Sequence, residues 1–558
     1  MASAEGGPGE TSDLAARADF PLQWDRLAPP ASALTPEDFI LPPRQRPPGA
    51  QPASYWLTRF ILLRWLGAIY AVAFLVAANQ IVPLVGQDGL LPAGAMLDKA
   101  ILQNGSTWDG FFQSPSIFWW GHSDGAFVAW AWIGFLLSCV VVAGYANALL
   151  MAALWFLYLS FLPVGQDWYG YGWEIQLLET GFLGIFLCPL LDGRPFPRRA
   201  PPVVILWLFR WLIFRIMFGA GMIKLRGDAS WRDLTALYYH FETQPIPNPL
   251  SRWFFFLPKW ILRVGVLCNH EAELVLPWFV FWPGLSRQIA GGLIILFQFT
   301  LILSGNLSFL NWLTIVPALA CLDDSFWRLI LPHSLTRRAE RAADEAQPSE
   351  PMLRVTWAVA AVVLYLSVPV VRNLTSSHQM MNTSFDPLHL VNTYGAFGTV
   401  GKERMNVVFE GTNADIPSEA DWKPYPYKGL PVNLDKSPAQ IAPYQLRLDW
   451  QMWFAAMSDY QHYPWTLNLV WKLLHNDPGT LSLFADNPFP EKPPRFVRAV
   501  LYKYAFAMPG NPEGHYWNRQ MVGLWLPPLS ADNAELRALL EKVGWVQEKT
   551  PAPASVAK

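Results

Sequence analysis

The residues of this chain that are equipped for chemistry stand inside apolar stretches. Glu174 and Glu179 share one stretch, Arg215 and Lys224 the next, and Asn269, His270, Glu271 and Glu273 a third, with Asn311 in a fourth. An ionisable group at mid-bilayer costs at least ~2.5 kcal/mol and faces a partner or a cavity. At 1.5 Å per residue, Glu179 lies about 7 Å deeper than Glu174, Arg215 about 12 Å below the outer surface, and the 269–273 group about 8 to 14 Å below it. Opposite charges at one depth predict mutual neutralisation: Glu179 with Arg215, and Glu174 or Glu271 with Lys224. Two readings stay open, ion pairs that hold helices in register and a polar cavity that opens outward.

The loop after Lys224 is dense in charge and aromatic rings. It reads Lys224-Leu-Arg-Gly-Asp-Ala-Ser-Trp-Arg-Asp233, with Arg226, Asp228, Trp231, Arg232 and Asp233, and continues through His240 and Glu242 to Pro245-Ile-Pro-Asn-Pro249. A solvated loop with interface anchors is the plain reading. The stiff proline-rich exit and the nearness of Glu174 favour a functional loop. No second His or Cys stands near His270 at metal-ligand spacing, so no metal is expected, and no cofactor. Cys139, Cys188, Cys268 and Cys321 lie far apart without a CxxC, which reads as small buried hydrophobes and disfavours dithiol chemistry.

What must position these residues is a membrane bundle. The composition is 52% hydrophobic with only 15% charged, whereas soluble domains carry roughly a quarter charged residues. With 41 basic against 43 acidic residues, no basic field recruits nucleic acid. Stretches near the ~20 residues a bilayer needs begin at 59, 126, 147, 174, 203, 264, 288, 306 and 353, which predicts about nine transmembrane helices. Basic residues gather before the first (Arg44, Arg46, Arg59), after the fourth (Arg194, Arg198, Arg199) and before the ninth (Arg337, Arg338, Arg341). That bias predicts a cytoplasmic N-terminus and an external C-terminus. Residues 224–263 break the charge rule and carry Trp253, Phe254 and Trp260, so an interfacial segment is expected within a membrane domain of residues 53–371. Residues 1–52 are rich in Ala, Pro and Gly, read as a disordered tail, and lack the apolar core of a signal peptide.

From residue 372 to 558 the pattern changes to alternation, as in Phe496 to Phe506, and to turn-rich stretches. A soluble extracytoplasmic domain of α+β or β-sandwich-like type is expected, with helices around 466–475 and 534–543 and a capping box at Asp532 and Glu535.

At this point the sequence resembles the lipase maturation factor family over nearly the whole chain after residue 50. The stretches that carry the resemblance include Tyr171-Gly-Trp-Glu-Ile-Gln-Leu-Leu-Glu-Thr-Gly181, Phe218-Gly-Ala-Gly-Met-Ile-Lys-Leu-Arg-Gly-Asp228 and Tyr239-His-Phe-Glu-Thr-Gln-Pro-Ile-Pro-Asn-Pro249. Asn392-Thr-Tyr-Gly-Ala-Phe-Gly398 and Leu448-Asp-Trp-Gln-Met-Trp-Phe-Ala-Ala-Met457 extend it into the C-terminal part. The resemblance implies a chaperone-like maturation factor of the endoplasmic reticulum membrane that assists folding and assembly of exported dimeric lipases, alone or with other folding factors. In a bacterium the location would be the cell membrane.

A remoter similarity covers Ala220-Gly-Met-Ile-Lys-Leu225, Asp228, Trp231 and the stretch from His270 to Pro277, which look like vitamin K-dependent carboxylases. It implies an alternative, a membrane enzyme with Lys224 as base, over a pocket that includes Glu174, Glu179, Arg215 and Glu271. A transporter ranks last, since no inverted repeat is visible.

Overall fold

The computed structural model describes residues 53–417 and 421–546, and the tail 1–52 expected to be disordered lies outside the described residues. Among the described residues, six helices are long and apolar enough to cross a bilayer. They are α1 (Trp56–Val85), α2 (Asp124–Ala143), α3 (Ala148–Gly165), α5 (Val203–Gly227), α8 (Leu285–Ser304) and α10 (Glu350–Thr375). Local chemistry sets their ends. Ser123 and Asn147 accept from the backbone N–H groups of Ala126 and Leu150 to start α2 and α3, and Gly144, at φ 114°, closes α2 in the left-handed region that a side chain disfavours.

The expected count of nine is not reached on length and composition. The other three spans form helices, but α4 (Gly172–Leu187) has 16 residues and α9 (Leu310–Leu319) has 10, about 24 and 15 Å long against a hydrocarbon core of about 30 Å. The third is broken into α6 (Lys259–His270), a π-helical turn at Glu271–Val275 and α7 (Leu276–Phe279). Between α5 and α6, the segment expected at the interface coils into short helices at Ala229–Arg232, Leu237–Thr243 and Ser251–Phe255.

Beyond α10 the chain builds a four-stranded antiparallel sheet of order β2-β1-β3-β4. The strands are β1 (Arg404–Thr412), β2 (Lys423–Pro424), β3 (Phe496–Phe506) and β4 (Trp517–Ser530). Buried and half-buried residues largely alternate along β3, and Val407 of β1 pairs with Leu501. Helices at Arg447–Ala455 and Trp465–Leu473 pack on it, and the helix at Ala534–Lys542 packs on the second of these. The part is α+β; among the described residues there is no second sheet to make the sandwich also expected. The last helix is capped by Asn533, which accepts from Leu536 N–H at 2.9 Å, not by the Asp532 and Glu535 box.

From Ala53 onward the chain forms one compact unit, and one core cluster takes in Tyr70 and Trp168 of the bundle with Trp465 and Val500 of the C-terminal part. Indole rings lock the join: Trp168 lies 4.7 Å from Trp465 and Trp173 4.8 Å from Trp450, centroid to centroid. The C-terminal part is thus packed onto the bundle and not tethered by a linker.

Candidate functional site

Three ion pairs sit where the helices meet the C-terminal part. In the first, Arg215 of α5 bridges Glu179 of α4, as its depth predicts, and donates to the Asn392 carbonyl at 2.7 Å. Glu179 also accepts from Asn392 N–H at 3.0 Å and from the Tyr394 hydroxyl at 2.7 Å. The carboxylate therefore holds both a helix and the segment that follows α10.

The second pair corrects the expected partner of Glu174. Its carboxylate pairs not with Lys224 but with Arg447, at 2.9 Å, and accepts from the Tyr158 hydroxyl. Both side chains of the pair are 0% exposed, so water contributes nothing and each charge depends on the other. Gln80 of α1 finishes this join, donating to the Gln445 carbonyl at 2.6 Å and accepting from Arg447 N–H at 3.0 Å.

The third pair joins Lys224 to Glu273, with Asn269 bridging: Asn269 donates to Glu273 at 3.0 Å and accepts from Lys224 at 3.4 Å. The Lys224 nitrogen lies 5.0 Å from the centre of the Trp231 ring. The other expected partner, Glu271, is exposed. The reason is local: Asn269 and Glu273, four residues apart, reach Lys224 together, and Glu271 between them stands exposed on the wall of the adjoining cavity.

The loop residues serve mainly to dock chain onto this region. Arg226 donates to the Leu374 carbonyl at 2.9 Å and to Gln379 at 2.7 Å. Asp228 caps Ala229–Arg232 through Ser230 N–H at 2.9 Å and accepts from Val400 N–H at 3.1 Å; these bonds outweigh its desolvation and lower its pKa. Trp231 is buried and donates to the Phe397 carbonyl at 2.9 Å, while His270 bonds the Trp231 carbonyl at 3.0 Å. Glu242 accepts from Phe506 N–H at 2.7 Å, and burial raises its pKa. Arg232 reaches only the Leu225 carbonyl, at 2.7 Å, and Asp233 is exposed, so neither joins the cluster. His240 is buried against Phe397, and burial, helped by the Lys224 charge, lowers its pKa to about 4, which leaves the ring neutral at physiological pH.

Beside the third pair opens a cavity of about 780 Å³. Lys224, His240, Asn269 and Glu273 line it, among mostly apolar and aromatic neighbours from α5, α6, α8 and the C-terminal part. Glu174, Glu179, Arg215, Arg226 and Asp228 do not. Of the thirteen expected site residues, Glu174, Glu179, Arg215, Arg226, Asp228 and Glu242 fasten the chain that follows α10, Lys224, Trp231, His240 and Glu271 line the cavity, His270 holds Trp231, and Arg232 and Asp233 stand apart. Among the described residues, no three His, Cys, Asp or Glu side chains gather in a way that holds a metal ion.

Glu273 stands in the predicted slab but was not matched to Lys224, and Arg447, Asn392 and Tyr394 were missed as site residues. A signal existed for the last two, which lie in the Asn392–Gly398 stretch that carries the family resemblance. Arg447 stands 273 residues from its partner in chain read as a separate domain, so spacing held no clue.

A multi-pass helical membrane protein with a C-terminal α+β part fastened to it by buried ion pairs is the class these features define. The chain belongs to the lipase maturation factor family: that family's transmembrane domain matches residues 57–329 and its C-terminal domain residues 390–527. It is 46% identical to Lipase maturation factor 1 of Bos taurus over 526 residues, spanning 90% of this chain and 93% of the relative. Lipase maturation factor 1 of Homo sapiens is 45% identical over 91% of this chain and 95% of its own. Lipase maturation factor 2 of Xenopus laevis is 29% identical over 90% of this chain and 86% of its own. No solved structure matches.

Proposed function

We propose that this protein is a membrane-resident maturation factor that assists the folding and assembly of exported lipases, dimeric ones in particular. The observation that carries the reading is similarity of 46% to a protein named for lipase maturation, sustained through membrane and C-terminal parts alike. The endoplasmic reticulum membrane is the matching location, with recruitment of other folding factors as a further role. In this reading the outer loops and the C-terminal part act as one face, because Glu174 and Glu179 bind them to the bundle. The thirteen expected site residues then act by shaping that face or the cavity behind it, and Lys224, engaged by Glu273 and Asn269, acts through charge and not as a base. Nothing in the comparisons favours the carboxylase-like alternative.

Nine passes, an N-terminus in the cytoplasm and a luminal C-terminal part complete the proposal. Support comes from how the helix ends meet. At one end, Asp324 after α9 accepts from Trp56 and Leu57 N–H of α1, and Arg59 donates to the Arg199 carbonyl before α5. At the other, Asn248 after α5 donates to the Leu303 carbonyl of α8, and Gln80 of α1 meets Gln445. Alternating passes bring these ends together if α4, α9 and the α6–α7 pair cross within the bundle, where neighbours shield their polar groups.

The test is secreted lipase activity in cells that lack the native factor. The parent chain is expected to restore it, and Lys224→Arg, which keeps the charge and removes an accessible base, to restore it nearly as well. Loss equal to a deletion on Lys224→Arg, with folded protein present, would overturn the non-enzymatic reading. A cysteine placed at Asn413 is expected to label from the luminal side alone; cytoplasmic labelling reverses the topology.

A further inference from the structure

The cavity beside Lys224 is larger than an ion pair needs, and its openings say what fills it. Its volume of about 780 Å³ is in the range of small-molecule sites, about 300–1,000 Å³. Over one side lie Tyr394, Phe397, Trp450, Trp453 and Phe454 from the C-terminal part. Another side is different. Ile261, Gly265 and Cys268 of α6 and Leu293, Leu296 and Thr300 of α8 all line it, yet Leu293 is 41% and Leu296 60% exposed. Lower down, α7 packs closely on α8; above the π turn α6 packs less closely on it, and the cavity reaches the exposed residues of both helices there, which form its mouth.

The surface around that mouth is largely apolar, as a surface that meets hydrocarbon requires. Trp260, Leu267, Phe299 and Leu303 are all exposed on the outside of the same two helices. A ligand that enters here comes from the bilayer. From Leu293 to Ser304 the cavity follows α8 for about 16 Å, close to the roughly 15 Å of one leaflet's hydrocarbon.

The polar groups inside define the head of that ligand. Lys224 and Glu273 cancel one another, Gln176, Gln298, Asn311 and Thr314 are uncharged, and the remaining charge is the exposed carboxylate of Glu271, which repels an anion. A phosphate-bearing head would leave water without gaining a counter-charge for its negative group. His240 is 7% exposed and lines the cavity, and among the described residues its ring nitrogens have no hydrogen-bond partner. It is ready to donate to an ester carbonyl or accept from a hydroxyl. A polypeptide segment fits poorly, since its backbone N–H and C=O groups need more partners than these walls offer.

We propose that the cavity binds an uncharged glyceride, admitted sideways between α6 and α8 from the leaflet next to the C-terminal part, with its acyl chain along α8 and its hydroxyl or ester at His240 and the Lys224–Asn269–Glu273 cluster. The proposal rests on the membrane embedding of the chain and not on its clients.

The experiment uses the full chain in phosphatidylcholine nanodiscs with a diacylglycerol that carries a photoactivatable diazirine in one acyl chain. Label is expected on the cavity-lining residues of α6 and α8, displaced by unlabelled diacylglycerol and not by phosphatidylserine. Leu296→Trp, which fills the mouth, is expected to reduce labelling about tenfold. Leu303→Trp, on the same helix but outside the cavity, leaves it unchanged. Thr300→Trp is the second mouth variant should Leu296→Trp not fold, folding being read from the melting temperature.

Label spread evenly over the lipid-facing residues and not displaced overturns the site. Equal displacement by phosphatidylserine overturns the uncharged head, and label that vanishes only when a client polypeptide is added overturns the lipid occupant. None of these readouts depends on lipase secretion, so this proposal and the maturation reading fail separately.

Discussion

The join at Glu174 and Glu179 and the cluster at Lys224 are both buried charge in the outer bundle, but they differ in what surrounds them. At the join, every carboxylate oxygen of Glu179 meets a donor, and the Glu174–Arg447 pair is wholly excluded from solvent. At Lys224 the pair borders an open volume and a histidine that no neighbour bonds. Burial inside closed packing, with every Glu179 oxygen met, serves fastening, and burial beside vacant space serves binding. The helices tolerate both because each charge has a counter-charge from a different segment.

The largest expected effect breaks the join. Arg447→Met leaves Glu174 buried without its counter-ion and is expected to cost about 3–5 kcal/mol, read as a lower melting temperature and less folded protein in detergent. Adding Glu174→Gln to it should recover most of the loss, as a double-mutant cycle would record. A parental melt for Arg447→Met alone would mean that the join is not what fastens the two parts.

Glu273→Gln tests the other side of the comparison. Because the adjoining cavity relaxes around Lys224, the expected cost is smaller, about 2–3 kcal/mol by the same measurement. A cost equal to that of Arg447→Met would erase the distinction between the two clusters.

A pH titration sharpens the comparison within the C-terminal part. Asp449 accepts from Gly429 and Leu430 N–H at 2.6 and 3.0 Å, yet burial raises its pKa to about 6. The folded chain then binds this proton more tightly than the unfolded one, so stability falls as pH rises from about 4 to about 6 and is level above. The slope is on the order of 2 kcal/mol and should be missing in Asp449→Asn, compared by melting at pH 4.5 and 7. The smallest effect is at the surface: Arg495→Ala removes an exposed pair with Asp415 and should change stability by less than about 1 kcal/mol.

Much of this arrangement was legible before any coordinates. Glu179 and Arg215 share a depth, and their pairing follows from helix rise alone; the strand at Phe496–Phe506 and the helix starting at Ala534 follow from periodicity. What escaped depended on long-range packing. Lys224 selects Glu273 over Glu271 because of which face the helix turns inward, and a π turn begins at that residue. The membrane count failed for a related reason: α4 and α9 are shorter than a bilayer and rely on neighbours, and hydropathy cannot report neighbours. The cavity was anticipated as polar, because its charges were visible and the aromatic walls were dispersed along the chain.

The distance along the chain between Glu174 and Arg447 has a consequence in time. At ordinary rates of translation, the 273 residues that separate them take on the order of tens of seconds to make. For that interval the nascent bundle holds a carboxylate whose counter-ion has not been synthesised, so chain made long after α4 supplies the charge that α4 lacks.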